Sequence, residues 1–103
     1  MNKYNARKTE YNGMTFDSRK ELTRYKELEL LERAGEISNL RRQVEFELIP
    51  KQPGERKAVY TADFMYMENG AKIVEDVKGV KTRDYILRRK LMLFRHGIRI
   101  REV

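Results

Sequence analysis

The chain predicts an α/β (α+β) domain, with elements in the order β-α-β-β-β-α-β around a central mixed sheet. Three observations carry this. Asn69-Gly70 stands between two β-rich runs, and both residues tolerate the positive φ of a type I′ hairpin turn. QVEFELI, at 43–49, alternates apolar and polar side chains as a half-buried strand does. Two longer segments show apolar residues at helical spacing, each with a start signal and a glycine stop.

In chain order, residues 1–11 are polar and basic (Lys3, Arg7, Lys8) and read as a loose N-terminal arm. Met14-Thr15-Phe16 reads as a short strand. A helix follows over 18–34, started by Ser18 and stopped by Gly35, with Leu22, Tyr25, Leu28 and Leu31 as its apolar side. Residues 37–40 form a short extended piece. Residues 43–49 form a strand with Val44, Phe46 and Leu48 on one face, and 50–57 a loop holding both prolines. The hairpin strands span 59–67 and 71–78. Thr82 caps a second helix that runs to Arg95, with Leu87, Leu91 and Phe94 as its buried stripe, and 98–101 close as a strand.

At 103 residues the chain is one domain with a single modest core. Its net charge of +7 calls for an anionic partner, nucleic acid before an acidic membrane surface. No stretch approaches a membrane span, and the polar start is no signal peptide. With no cysteine and one histidine, a closed Cys/His zinc site and a Cys-His dyad are both excluded. The missing cysteines suit a reducing cytoplasm. Any hydrolysis must rest on carboxylates and lysines. His96, before Gly97, reads as a cap or surface residue.

Taking Asn69-Gly70 as the loop fixes the hairpin register. Glu68 faces Ala71, and the count runs through Phe64 and Glu75 to Asp63 opposite Asp76. Opposed residues sit with Cβ atoms roughly 4.5–5.5 Å apart, and like charges there are destabilising. Lys78 points to the face of Asp76. The pair, set among Met65, Met67 and Val74, is either a solvated face relieved by Lys78 or a metal site with a catalytic lysine. Hard oxygen ligands of this kind suit Mg²⁺ or Mn²⁺, and the lysine suits charge neutralisation in phosphodiester hydrolysis. Glu75 points to the opposite face in a regular hairpin, and a β-bulge would exchange it with Asp76. Ser18-Arg19-Lys20-Glu21 is a capping box, in which Glu21 bonds back to Ser18; alternatively the helix projects Glu21 toward the acids. Lys81, Thr82 and Arg83 open the second helix beside the acids, where free N–H groups favour phosphate. Arg88 and Lys90 of that helix, with Arg7 and Lys8 of the arm, complete the expected DNA contacts.

Asp63 followed by Asp76-Val77-Lys78 resembles the signature of the PD-(D/E)XK, or restriction-endonuclease-like, nuclease superfamily. The phrases NGMTFDSRKE at 12–21, YTADFMY at 60–66 and VEDVKG at 74–79 are similar to a small phage- and prophage-borne family catalogued as a domain of unknown function. The resemblance spans about 13–103. It implies a restriction-endonuclease-like core and Mg²⁺- or Mn²⁺-dependent cleavage of DNA, with Asp63 and Asp76 as ligands and Lys78 catalytic. In junction-resolving relatives an acid of the first helix completes the site, which gives Glu21 that part. Gln43 falls where relatives carry a supporting polar residue. Ala62 replaces the proline of the superfamily's name. The implied activity is that of a Holliday-junction-resolvase-like enzyme in phage recombination or replication, working as a homodimer in the cytoplasm of a bacterial host. A nicking, restriction or homing-type duplex nuclease, and a DNA-binding module without turnover, are the alternatives.

Overall fold

The computed structural model describes residues 8–103. The elements are β1 (Thr9–Tyr11), β2 (Met14–Phe16), α1 (Arg19–Arg33), β3 (Ser38–Ile49), β4 (Ala58–Glu68), β5 (Ala71–Asp76), α2 (Arg83–His96) and β6 (Arg101–Glu102). The main sheet runs β3-β4-β5-β6, antiparallel except for the parallel pair β5–β6. The mixed α+β class and the element order match the expectation, with one added strand at the start. No helix among the described residues is long and apolar enough to cross a membrane.

That added strand corrects the loose arm. Thr9–Tyr11 pairs with Met14–Phe16 in a separate two-stranded sheet, turned by Asn12 and Gly13 at φ 50° and 76°. Phe16 and Tyr11 then pack against Tyr25 of α1. Residues 1–7, including Arg7, lie outside the described residues.

The hairpin register is the one the turn dictates. Glu68–Ala71 through Phe64–Glu75 pair in sequence, and Asn69 and Gly70 take φ 51° and 79°. β5 ends at Asp76, shorter than expected, because its pairing with β4 stops at Phe64–Glu75 and only β6 accompanies it further. Val103 N–H donates to Asp76 O at 3.0 Å, and Lys78 N–H to Val103 O at 3.1 Å. The last strand is accordingly Arg101–Glu102 rather than 98–101.

The extended piece at 37–40 and the strand at 43–49 are one continuous strand. Gln43 sits within it at φ 51°, and the Gln43–Asp63 pair drops out between Arg42–Phe64 and Val44–Ala62. Here both strands exchange faces. Phe64 and Tyr66 pack with Leu28 under α1, whereas Tyr60 and Ala62 join Leu48, Tyr85 and Met92 under α2. Asp63 therefore lies at the crossover between two cores, one on each side of the sheet.

α1 keeps its expected stripe, with Leu28 fully buried. α2 does not. Tyr85 and Met92 enter the core, while Leu87 and Phe94 stand in solvent. The helix has apolar residues on two faces, and the one carrying the Tyr85 ring is the one that fits the sheet.

Candidate active site

Asp63, Asp76, Lys78 and Glu21 come together along one cleft of about 1300 Å³ between the start of α1, the crossover in β4, the end of β5 and the start of α2. Asp76 is buried, its Oδ2 accepting the Tyr60 hydroxyl at 2.6 Å and its Oδ1 3.4 Å from Lys78 Nζ. Burial, then the Asp76 carboxylate, push the Tyr60 phenol well above its ordinary pKa, so it stays a donor.

Asp63 does not continue the ladder opposite Asp76. Its Oδ2 accepts the Val77 N–H at 2.8 Å, where β5 has ended. Burial, then a hydrogen bond to Asp76 and the charge of Asp76, push the Asp63 carboxyl up to about 8. Two acids that resist ionising together are what a shared proton or a cation relieves.

Lys78 is held from several sides. Its Nζ lies 4.0 Å from the centre of the Tyr85 ring, a cation–π distance, and its carbonyl accepts Lys20 Nζ at 2.9 Å. The Tyr85 hydroxyl in turn donates to Glu102 Oε2 at 2.6 Å. Burial, then that hydrogen bond, raise the Tyr85 phenol as well.

Only part of the capping box forms as expected. Ser18 Oγ accepts the Glu21 N–H at 3.1 Å, but the Glu21 carboxylate turns to β3. It accepts from Gln43 Nε2 at 3.4 Å and lies 3.6 Å from Arg42 Nη2. Burial, then Asp17, hold its pKa above the ordinary value. Gln43 thus supports Glu21 without lining the cleft. Among the described residues no three His, Cys, Asp or Glu side chains converge as a ready-made metal cage.

Glu75 lies on the opposite face, fully buried, with Oε1 2.6 Å from Arg24 Nε. The regular-hairpin reading of the Glu75-Asp76 step holds, and Glu75 is no part of the cleft. Of the expected DNA contacts, Thr82 and Arg88 line it. Thr82 also caps α2, accepting the Tyr85 N–H. Arg88 is paired with Asp84 and donates to Val59 O. Lys81 is paired with Glu102 at 3.1 Å, and Arg83, Lys90 and Lys8 are exposed and do not line the cleft. His96 is a surface residue, its Nε2 2.6 Å from Glu47 O.

Sequence reasoning missed Arg19 and Lys20, which line the cleft, and Tyr60 and Tyr85, which fix its acid and its lysine. Both cations lie inside the Ser18–Glu21 capping box. The tyrosines carry no local signal, because each acts on a partner brought to it by the sheet.

No curated protein and no solved structure matches the chain. A family model does match it over residues 1–102. The chain belongs to the family described as "Protein of unknown function (DUF1064)".

Proposed function

We propose that this chain is a metal-dependent endodeoxyribonuclease with a restriction-endonuclease-like core, acting on branched DNA as a junction resolvase does. The observation that carries the reading is the meeting of Asp63, Asp76 and Lys78 in one cleft, with Glu21 on its wall. The element order supports it: an acid-bearing helix, three antiparallel strands, a second helix, and a last strand parallel to β5. So do the net charge of +7 and the cations Arg19, Lys20 and Arg88 along the cleft.

The residues fit a hard divalent ion. Asp63 and Asp76 offer carboxylate oxygens, and the raised Asp63 pKa marks a site that gains by exchanging a proton for a cation. Bound Mg²⁺ or Mn²⁺ would supply Lewis-acid polarisation and a more acidic water. Lys78, fixed over the Tyr85 ring, neutralises charge developing on the phosphoryl oxygens. Tyr60 holds Asp76 in one orientation, and Arg19 and Lys20 draw the strand in. Symmetric cutting of a junction would engage two copies about a two-fold axis.

Incubation of wild type with Mg²⁺ and a four-way junction, beside matched duplex, tests the reading. Junction cleavage abolished by chelation is expected, and no cleavage of any DNA contradicts it. The turn of Glu21 toward Arg42 favours a second reading, a DNA-binding module without turnover. DNA affinity with no Mg²⁺ or Mn²⁺ uptake in calorimetry would establish that instead.

A further inference from the structure

α2 carries apolar side chains on two opposite faces. Tyr85 and Met92 are buried, whereas Leu87 and Phe94 are 57% and 88% exposed. Arg83, Leu87, Lys90 and Phe94 follow the i, i+4, i+7, i+11 spacing of one helix face. Arg83 and Lys90 are exposed and, among the described residues, have no ion-pair partner. The acid at the start of the helix, Asp84, is neutralised by Arg88 at 2.9 Å. The outward face of α2 is thus an apolar centre with a cationic rim. A second copy on the same stripe would set Arg83 and Lys90 against each other's counterparts. A polyanion that also offers flat apolar faces complements it.

The stripe shares its helix with the cleft, which Thr82, Asp84 and Arg88 line from a neighbouring side of α2. Phe94 lies on the order of 18 Å further along the helix axis. We propose that Leu87 and Phe94 form a stacking wedge for nucleic-acid bases exposed where helical stacking is interrupted, at a branch or bulge, with Arg83 and Lys90 on the adjacent phosphates. The proposal rests on the nucleic-acid reading of the cleft and names the structure that the cleft's substrate carries. Apolar wedges of this kind separate base steps, and aromatic side chains stack on unpaired bases of any sequence. Reaching a phosphodiester in the cleft while Phe94 engages an open base would make strand interruption the feature selected.

The test measures affinity in the presence of EDTA for a four-way junction, a bulged duplex and a matched intact duplex, each with 2-aminopurine at the interruption or its equivalent position. Wild type is compared with Phe94→Ser and Leu87→Ser, both surface changes. The expected result is a loss of about tenfold in junction and bulge affinity, with a smaller 2-aminopurine response and intact-duplex affinity unchanged. Equal affinities of wild type and Phe94→Ser for every DNA overturn the wedge and leave the nuclease reading standing. Wild type that binds no DNA overturns both. A dimer of wild type that Phe94→Ser converts to monomer in sedimentation, or capture of wild type alone on phosphatidylserine vesicles, assigns the stripe to another partner and overturns the wedge.

Discussion

The Tyr60 hydroxyl donates to Asp76 Oδ2 across 2.6 Å, so the acid at the end of β5 takes its orientation from near the start of β4. Both residues are buried, and phenylalanine would fill the tyrosine's volume without its donor. Tyr60→Phe is expected to lower stability by about 1–3 kcal/mol, the effect of a buried acceptor left short of a partner. Cleavage should fall while DNA affinity is kept. Urea unfolding and a cleavage assay on the same preparation check the two parts.

Asp63 supplies a pH signature. Its folded pKa is raised, by burial first and Asp76 second, from an ordinary 3.8 to about 8. The unfolded chain ionises first, so this residue makes the metal-free protein progressively less stable between those two pH values. Asp63→Asn in EDTA is expected to gain on wild type as pH rises from 4 to 8. Thermal unfolding of both proteins across that range is the measurement, and Mg²⁺ should narrow the gap.

Glu102 runs the other way. Hydrogen bonds from Tyr85, then Lys81 and Arg89, hold its carboxyl down at about 2 from an ordinary 4.5. A depressed acid contributes stability above its unfolded pKa and loses it as pH falls toward the folded value. The stability difference between wild type and Glu102→Gln should be constant above pH 4.5 and shrink toward pH 2. Because Tyr85 also lies under Lys78, the variant is expected to slow cleavage at neutral pH.

On the other face, Arg24 is the counter-charge of Glu75, whose Oε2 has no hydrogen-bond partner among the described residues. Arg24→Ala leaves a buried, unpaired carboxylate and is expected to destabilise by about 3 kcal/mol. Adding Glu75→Gln should recover most of that loss. Chemical denaturation of the single and double variants gives the coupling directly.

The parts of the fold that local chemistry specifies were legible, and those set by packing were not. Asn69-Gly70 fixed five successive pairs of the hairpin. Asn12-Gly13 carries the same signal, and it places the β1–β2 turn that the loose-arm reading overlooked. The face change at Gln43 and Asp63 has no such marker, because a non-glycine residue takes the positive φ in mid-strand. For α2, spacing alone shows two apolar stripes. Only the fit of Tyr85 between Lys78, Glu102 and the sheet decides which is buried. Asp63, Asp76 and Lys78 were placed together by the hairpin count, whereas Tyr60 and Lys20 enter through tertiary contacts.

Cleavage of a four-way junction in Mg²⁺ by wild type, Asp76→Asn and Glu75→Gln, with DNA affinity measured alongside, tests the central claim most directly. Asp76 faces the cleft and Glu75 the opposite core, so wild type and Glu75→Gln should cut, and Asp76→Asn should bind without cutting. Full activity of Asp76→Asn, or loss of activity confined to Glu75→Gln, would contradict the site described.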